Sequence, residues 1–403
     1  MTTNLFAESD AAGSALQSLS QDGDGVSVSV LDFIPVALHA GIRAATNTTP
    51  LRDYIEDAIA SRVGDVSMEL VFPPGSYYLG ANPIRVNRSN IGIVGHSAGL
   101  SSDSVTANHI EIGDGVNARA NINVRGLTFE KTVVSTGGYA VSMNLVTNAR
   151  VERCVFYGNN KLYGGVQCHR TIRVKIINND GENFAPNGKG VLWTGTAASH
   201  SIDLHVRDNE FYIIPSGIGL DVQDYCEGLY CRQNTFFACG AAGVSIAGAS
   251  EASTLLSYKI DLNDLDSCGF GIYSNYADNM SIGVNWFSAN TSTSIRLDSG
   301  CAGVVVTGNQ IYGNGHVGIQ CEADDVNIVG NLITACTDGV VLGAACVGAT
   351  LSGNSINGNV GYGVNLLSNP NSVSVVGNAV RSNIIANISG GGSNLNVVSN
   401  LTV

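Results

Sequence analysis

The chain is short of charge, of proline and of tryptophan. Only 13% of its 403 residues are charged, and it has 8 prolines and 2 tryptophans. So little charge beside 44% hydrophobic residues excludes a disordered chain and suits a packed core. Basic residues are the scarcer kind, 20 Lys and Arg against 33 Asp and Glu, which leaves a net charge of −13. That balance argues against nucleic acid and against an anionic membrane as partners. It would also repel an acidic polysaccharide at long range wherever no local basic patch intervenes. No apolar run reaches the ~18 residues of a membrane-crossing helix. The opening MTTNLFAESDAAGS has neither a basic nor an apolar region, so no signal peptide is expected and synthesis in the cytosol is. The ten cysteines include no CxxC pair, and there is no Gly-x-Ser-x-Gly elbow, phosphate loop or His-Glu-x-x-His motif. Nothing here implies a metal or a cofactor.

What the chain has in plenty is glycine, 49 residues, and a repeated phrase. The phrase is Val-Val-Thr-Gly-Asn-Gln-Ile at Asn309, and it returns at Asn331, Asn354, Asn378 and Asn400, at spacings of 22, 23, 24 and 22 residues. A period of this size means stacked supersecondary units. Apolar residues five and three positions before the Asn (Val304 and Val306, Val326 and Ile328, Val373 and Val375) and two after it (Ile311, Ile333, Ile356, Val380) alternate as strands do. Gly308, Gly330, Gly353 and Gly377 supply the left-handed backbone of a sharp corner. The Asn that follows turns its amide inward, where amides of successive coils can bond in a column. Five residues on, Asn290, Asn314, Cys336, Asn359 and Asn383 form a second column. Cys239, Cys268 and Cys336 fall on that column and Cys154 on a corner, so the thiols read as small buried hydrophobes. Eight or nine residues past the Asn comes Gly plus an aliphatic residue, as at Gly318-Ile319 and Gly339-Val340. Three short strands per coil, with coils about 4.8 Å apart, predict an all-β, single-stranded, right-handed parallel β-helix of about 12–13 coils.

The same grammar places earlier corners at His96, Leu127, Cys154, Asn179, Asn209, Asn234, Asn263 and Asn285. Every coil before Asn263 is longer than every coil after it, and extra residues in a solenoid go into loops that build binding surfaces. The expected organisation is an attachment arm over 1–25, a capping and opening segment over 26–95 and the β-helix over 96–403. Within the helix, 96–263 is the longer-looped binding half and 264–403 a regular stem.

Residues 26–86 carry the opening. Val28–Phe33 reads as a strand, Thr49 as a helix N-cap with Pro50 at the first helical position, and Glu69–Leu79 as strand, Pro-Gly turn and strand. The helix to Ser61 places Tyr54, Ile55, Ala58 and Ile59 on one face and would cap the first coil. The phrases VSVLDFIP, TTPLRDYIEDAIAS and MELVFPPGSYYL resemble the opening of the pectate-lyase-like superfamily, in the version found in bacteriophage tailspikes. The chain departs from that version by carrying Val36–Thr49 where a Gly-Asp-Gly-Val-Thr-Asp-Asp stretch is usual. The resemblance specifies fold well and chemistry poorly.

Two outward stripes are candidate sites. On the strand before the corner run Arg150, Lys175, His205, Tyr230 and Lys259, flanked by Glu152, Arg207, Arg232 and Asp261, with Asp180, Glu210 and Asp264 just past the corner. Such a stripe could bind a sugar acid or supply a Lys, His or Tyr for elimination, or it is a solvated face laced by alternating charge. After the Gly-aliphatic phrase stand Gln167, His169, Thr194, Asp221, Tyr273 and Asn275, with Asp224 and Tyr225 in the turn beyond Asp221, and with Glu182 and Lys189 on the approach. The resemblance implies that substrate lies along this strand. Glycoside cleavage needs a carboxylic acid for the leaving oxygen and a second carboxylate, so Glu182, Asp221 and Asp224 are the catalytic candidates. The substrate-binding candidates are His169, Lys175, Asp180, His205, Arg207, Glu210, Tyr225 and Tyr230. Trp193 falls in the inward register and Trp286 outward.

The expected function is that of a virion tailspike, made in the host cytoplasm, that binds and cleaves a bacterial surface polysaccharide. It would act as a homotrimer and attach through its arm to a phage tail or baseplate protein. The alternatives are a free polysaccharide lyase or hydrolase and a non-catalytic structural or adhesive β-helix.

Overall fold

The computed structural model describes residues 26–402 apart from Asp65, Thr254, Asn314 and Ser368. The expected arm over 1–25 and the Asn314 position of the second column lie outside the described residues.

The alternation of the repeat becomes a solenoid of about 13 coils. Every pairing between its strands is parallel, as in Val306–Ile328–Leu351–Val375 before the corner and Ile311–Ile333–Ile356–Val380 after it. The strands on both sides of the corner form a first sheet of 27 strands, and those after the Gly-aliphatic phrase a second sheet of 13. The apolar residues of the phrase all point inward, with Val304, Val306, Val326, Ile328, Ile333 and Val375 fully or almost fully buried.

The corner works as the sequence implies, with a wider tolerance. The residue before each corner is left-handed in the stem, φ 64° at Gly308 and 67° at Gly377, and equally so before Cys154 at Arg153 and before the earlier Asn corners at Gln233, Leu262 and Val284. The amide column explains why other residues accept that backbone. The Asn309 side-chain nitrogen donates to Oδ1 of Asn331 at 3.0 Å and to the Ile282 carbonyl at 2.9 Å. The Asn309 backbone N–H reaches the same Oδ1 at 2.9 Å. The pattern runs unbroken from the Cys154 N–H, held by Asn179, to Asn400. Each buried amide is thereby satisfied on both sides, which holds the corner against the local cost of left-handed φ.

Inside, a ladder of aromatic rings two residues past the corner (Phe129, Phe156, Phe211, Phe236, Phe287) fills the coils of the N-terminal half. Phe211 and Phe236 stack with centroids 6.1 Å apart and planes at 13°. The glycine of the Gly-aliphatic phrase faces this ladder: a Cβ on Gly219 would lie 2.3 Å from the Phe236 ring. In the coil that follows Ile84–Val86, His109 takes that column, in register with Ala140, and meets the Phe129 ring edge-on at 5.6 Å. His109 is fully buried, with its Nε2 at 2.6 Å from the Glu130 carbonyl. Burial, and then the charge of Lys131, lower its pKa to about 3. Because the folded pKa lies below the unfolded one, neutral His109 leaves the fold fully stable above about pH 6.5, and stability falls as pH drops from there toward 3. We expect the unfolding free energy to fall by about 1 kcal/mol per pH unit between pH 6 and 4, and His109→Ala to flatten that slope. Denaturant midpoints taken across this range, with and without the substitution, check it.

The ten cysteines are buried, the four placed on inward columns by the sequence among them, and burial raises the thiol of Cys336 to about 12.

Three details of the opening differ from the sequence reading. The first strand is only Val26–Ser29. A tight helical turn over Val30–Asp32 follows, where the Ser29 hydroxyl accepts from the Leu31 N–H. The stretch after Pro35 forms a helix of its own, α1 (Val36–Arg43), and the capping helix α2 spans Arg52–Ala60. Thr49 is therefore not its N-cap: the Leu51 N–H is spent on the Tyr78 carbonyl at 2.8 Å, which ties the chain to a strand before the helix can start. Helix α2 buries Ile55, Ala58 and Ile59 and half-buries Tyr54, and its Glu56 accepts the Arg85 N–H at the edge of the second sheet. Finally, the first long corner is at Ala98, paired with Leu127, and not at His96. The strand Ile91–Ser102 holds two extra residues in a bulge between Val94 and Ala98, which leaves His96 exposed.

Candidate functional site

The strands of the second sheet send Val141 and Met143, Val166 and Cys168, Val191 and Trp193, Leu220 and Val222 into the core. Trp193 is fully buried, as its register predicts. The alternate side chains stand on the outer face, and parallel register turns them into columns. One column reads Glu111–Ser142–Gln167–Leu192–Asp221–Ser245–Tyr273. Three residues earlier on each strand runs Tyr139–Gly164–Lys189–Ile218–Ala242–Phe270, and two residues later Asn144–His169–Thr194. From Glu111 to Tyr273 is six coil steps, roughly 29 Å at about 4.8 Å each.

At the centre Lys189 reaches across the next coil to Asp221, whose Oδ2 also accepts from Gln223 Nε2 at 2.8 Å. This ion pair is almost sealed, with the Asp221 side chain 4% and the Lys189 side chain 17% exposed. The ring of Tyr139 lies over Gly164, where a Cβ would sit 2.2 Å from it, and meets Tyr163 edge-on at 5.9 Å. Burial, then Tyr163 and the Asp221 carboxylate, raise the Tyr139 hydroxyl far above its ordinary value. On the N-terminal side lies a polar pocket of about 380 Å³, lined by Arg85, Asn87, Asn108, Glu111, Ser142 and Asn144. Arg170 braces it by donating to Asn144 Oδ1 at 2.7 Å and to the Gly115 carbonyl at 3.0 Å. Burial, and then Arg170, lower the pKa of His169 beside it. On the C-terminal side a second hollow, about 390 Å³, is lined by Ile218, Ala242, Ser245, Phe270, Tyr273 and Thr291. The Tyr273 hydroxyl donates to Asp298 at 2.8 Å. The face thus offers polar hydrogen-bonding groups, a buried carboxylate–ammonium pair and an aromatic floor in sequence along the axis.

Of the catalytic and substrate-binding candidates, His169 and Asp221 stand on this face, together with Gln167, Lys189, Thr194 and Tyr273 of the same stripe. Asp224 and Tyr225 stand in the loop that closes the Asp221 strand. Asp224 accepts the Ala249 N–H at 2.6 Å, a loop-bracing role, and Tyr225 packs on His200 with centroids 5.6 Å apart. Glu182 is elsewhere, on the first sheet past the corner, together with Asp180 and Glu210. Desolvation, then Glu210 and Glu182, raise the Asp180 carboxyl, and the Tyr212 hydroxyl donates to Glu210 at 3.1 Å. Glu182, Asp221 and Asp224 therefore occupy three separate places.

The other stripe forms on the first sheet as its register requires. Lys175, His205, Tyr230 and Lys259 pair in successive coils. The His205 and Tyr230 rings stack at 4.7 Å and 18°, with Lys259 Nζ 5.3 Å from the Tyr230 centroid. Burial, and then Lys175, lower the pKa of His205. Arg207 lies 3.9 Å from Asp208, and Arg150 pairs with Glu152. Partners within the stripe thus take up much of its charge.

Sequence reasoning missed Arg85, Asn108, Glu111 and Ser142. Their coils lack the Gly-aliphatic phrase, with His109 and Ala140 in the glycine column, so no marker located their strands.

The family description "Right handed beta helix region" matches residues 257–380. Among curated proteins no sequence matches the chain. Among solved structures, the A-module of a mannuronan C-5 epimerase of Azotobacter vinelandii is 14% identical, covering 93% of this chain and 99% of its own, with a TM-score of 0.55. A family 28 exopolygalacturonase of Yersinia enterocolitica is 11% identical over 91% of this chain and 79% of its own, TM-score 0.60. The Dettilon tailspike protein is 14% identical over 85% of this chain and 72% of its own, TM-score 0.62. These likenesses fix the fold as the right-handed parallel β-helix.

Proposed function

We propose that this chain is a tailspike-type protein that binds a bacterial surface polysaccharide along the outer face of the second sheet and cleaves it there. The observation that carries the reading is the in-register face from Glu111 to Tyr273, with the buried Lys189–Asp221 pair at its centre. A face of roughly 29 Å suits a chain of several sugar units lying along the axis, and its alternation of amides, charges and an aromatic floor suits hydroxyl-rich rings. Asp221 is the group on which cleavage would turn, with Lys189 and Gln223 fixing its orientation. In this reading the protein works as a homotrimer on a phage particle, attached through residues 1–25. One observation favours a binding-only adhesin as the second reading: Asp221 is tied to Lys189 and Gln223, Asp224 to the Ala249 N–H, and Glu182 stands on the other sheet, whereas hydrolysis needs two carboxyls facing one glycosidic bond.

The test is incubation of the protein with surface polysaccharides of candidate hosts, following reducing ends together with absorbance near 235 nm. New reducing ends alone mean hydrolysis. A matching rise in absorbance means elimination and shifts weight to Lys175, His205 and Tyr230 of the other stripe. Tight binding with neither signal leaves the adhesin, and no binding to any host glycan sinks the proposal.

A further inference from the structure

We propose that the outer surface of the first sheet in the stem, from Trp286 to Leu401, is where a second copy of this chain docks. The columns that alternate outward there carry one charged side chain among the described residues, Arg381. In the coils before Asn285 the same columns are laced with charge, for example Arg150, Lys175, Arg207, Glu210, Asp261 and Asp264. Where the charge stops, large apolar side chains are exposed: Val284 57%, Trp286 47%, Tyr312 46%, Leu332 41% and Val305 37%. Trp286, Gln310 and Leu332 are consecutive in one column, with Tyr312 two residues beyond Gln310, so these side chains are neighbours on one surface. The rim is polar, with exposed Asp324 and Asp325 along one edge and half-buried Asp338 along the other.

An uncharged centre with large apolar side chains inside a charged rim is the anatomy of a protein interface. The charge of the whole chain narrows the occupant. At −13 two copies repel each other over most of their surface, and this face lets them approach without juxtaposing carboxylates. The short loops of the stem leave it uncovered on both sides of the corner. Five coils at about 4.8 Å by about eight residues at 3.3 Å give roughly 600 Å² per copy, about 1,200 Å² in all, within the range of a specific interface. This inference gives a surface to the self-assembly proposed above and rests on that part of the reading, while the polysaccharide site concerns the other sheet and stands or falls separately.

Sedimentation equilibrium of the full chain at micromolar concentration reads it directly. The expected mass is a multiple of 41.8 kDa. Leu332→Asp, which puts a carboxylate at the centre of the face, should weaken self-association about 100-fold with an unchanged far-UV spectrum. Gln310→Glu, in the neighbouring coil, should act in the same direction and covers the case in which Leu332→Asp fails to fold. Gln320→Glu, on the second sheet, should leave the mass as it was. A protein that stays at 41.8 kDa at 50 µM overturns the proposal, as does an oligomer indifferent to both substitutions on the face. Loss of glycan binding with no change in mass would also overturn it, since the face would then be a sugar platform.

Discussion

Replacing Asn309 by alanine is expected to cost about 4 kcal/mol of stability, far more than its size suggests. The Asn285 N–H and side-chain amide both lose their acceptor, the Ile282 carbonyl loses a donor, and Oδ1 of Asn331 loses one of its two, keeping the backbone N–H of residue 309. All of these groups lie in buried corners, where an unpaired polar atom costs about 1–3 kcal/mol. The corner also loses what holds its left-handed backbone. An outward residue of similar size, such as Gln320, should tolerate alanine within about 0.5 kcal/mol. Denaturant unfolding of the two variants beside the parent makes the comparison. A loss below 1 kcal/mol for Asn309→Ala would mean that strand burial alone holds the coils and that the amide column adds little.

The second large effect is expected at Lys189 and Asp221. Lys189→Met leaves the Asp221 carboxylate buried with Gln223 as its remaining side-chain donor, and should cost about 3 kcal/mol. Adding Asp221→Leu should recover most of that loss, because the uncompensated charge leaves with it. Asp221→Asn keeps the shape and an acceptor for both donors but leaves the Lys189 ammonium without its counter-charge, so it should fold with a smaller loss of stability than Lys189→Met, since Lys189 is the more exposed of the two. If Asp221 takes part in proton transfer, cleavage should fall about 10²–10⁴-fold in Asp221→Asn while glycan affinity changes little. Glu182→Gln separates the two readings. A loss equal to that of Asp221→Asn would mean that the carboxyls meet on bound substrate despite standing on different sheets. An unaffected rate would leave Asp221 to act alone. Full activity in Asp221→Asn would remove the second-sheet face as the cleavage site.

The architecture of the stem was legible because each of its determinants is local. Five residues around each Asn decide which side chains point inward, and the next coil repeats them at 22 to 24 residues, so pattern and register carry the same information. The same rule located Trp193 in the core, Cys154, Cys239, Cys268 and Cys336 in inward positions and the His205–Tyr230 column on the outside.

It failed where a coil departs from the rule without a sequence marker. The two extra residues between Val94 and Ala98 hid the true corner, and the bond from Leu51 to Tyr78 delayed α2 past Thr49. The candidate site was only half legible. Asp221 and His169 could be placed on the correct face because alternation along a strand is short-ranged. That Lys189 would close over Asp221 from the previous coil, 32 residues away, depends on the reach of a flexible side chain and on the exact stacking of two loops of unequal length. That Glu182 would face away from Asp221 depends on where the chain turns between the sheets. The sequence by itself determined the solenoid, its corners and the face each side chain takes. Which of those side chains meet was left to the tertiary structure, because parallel stacking brings together residues 22 to 32 positions apart that no local pattern links.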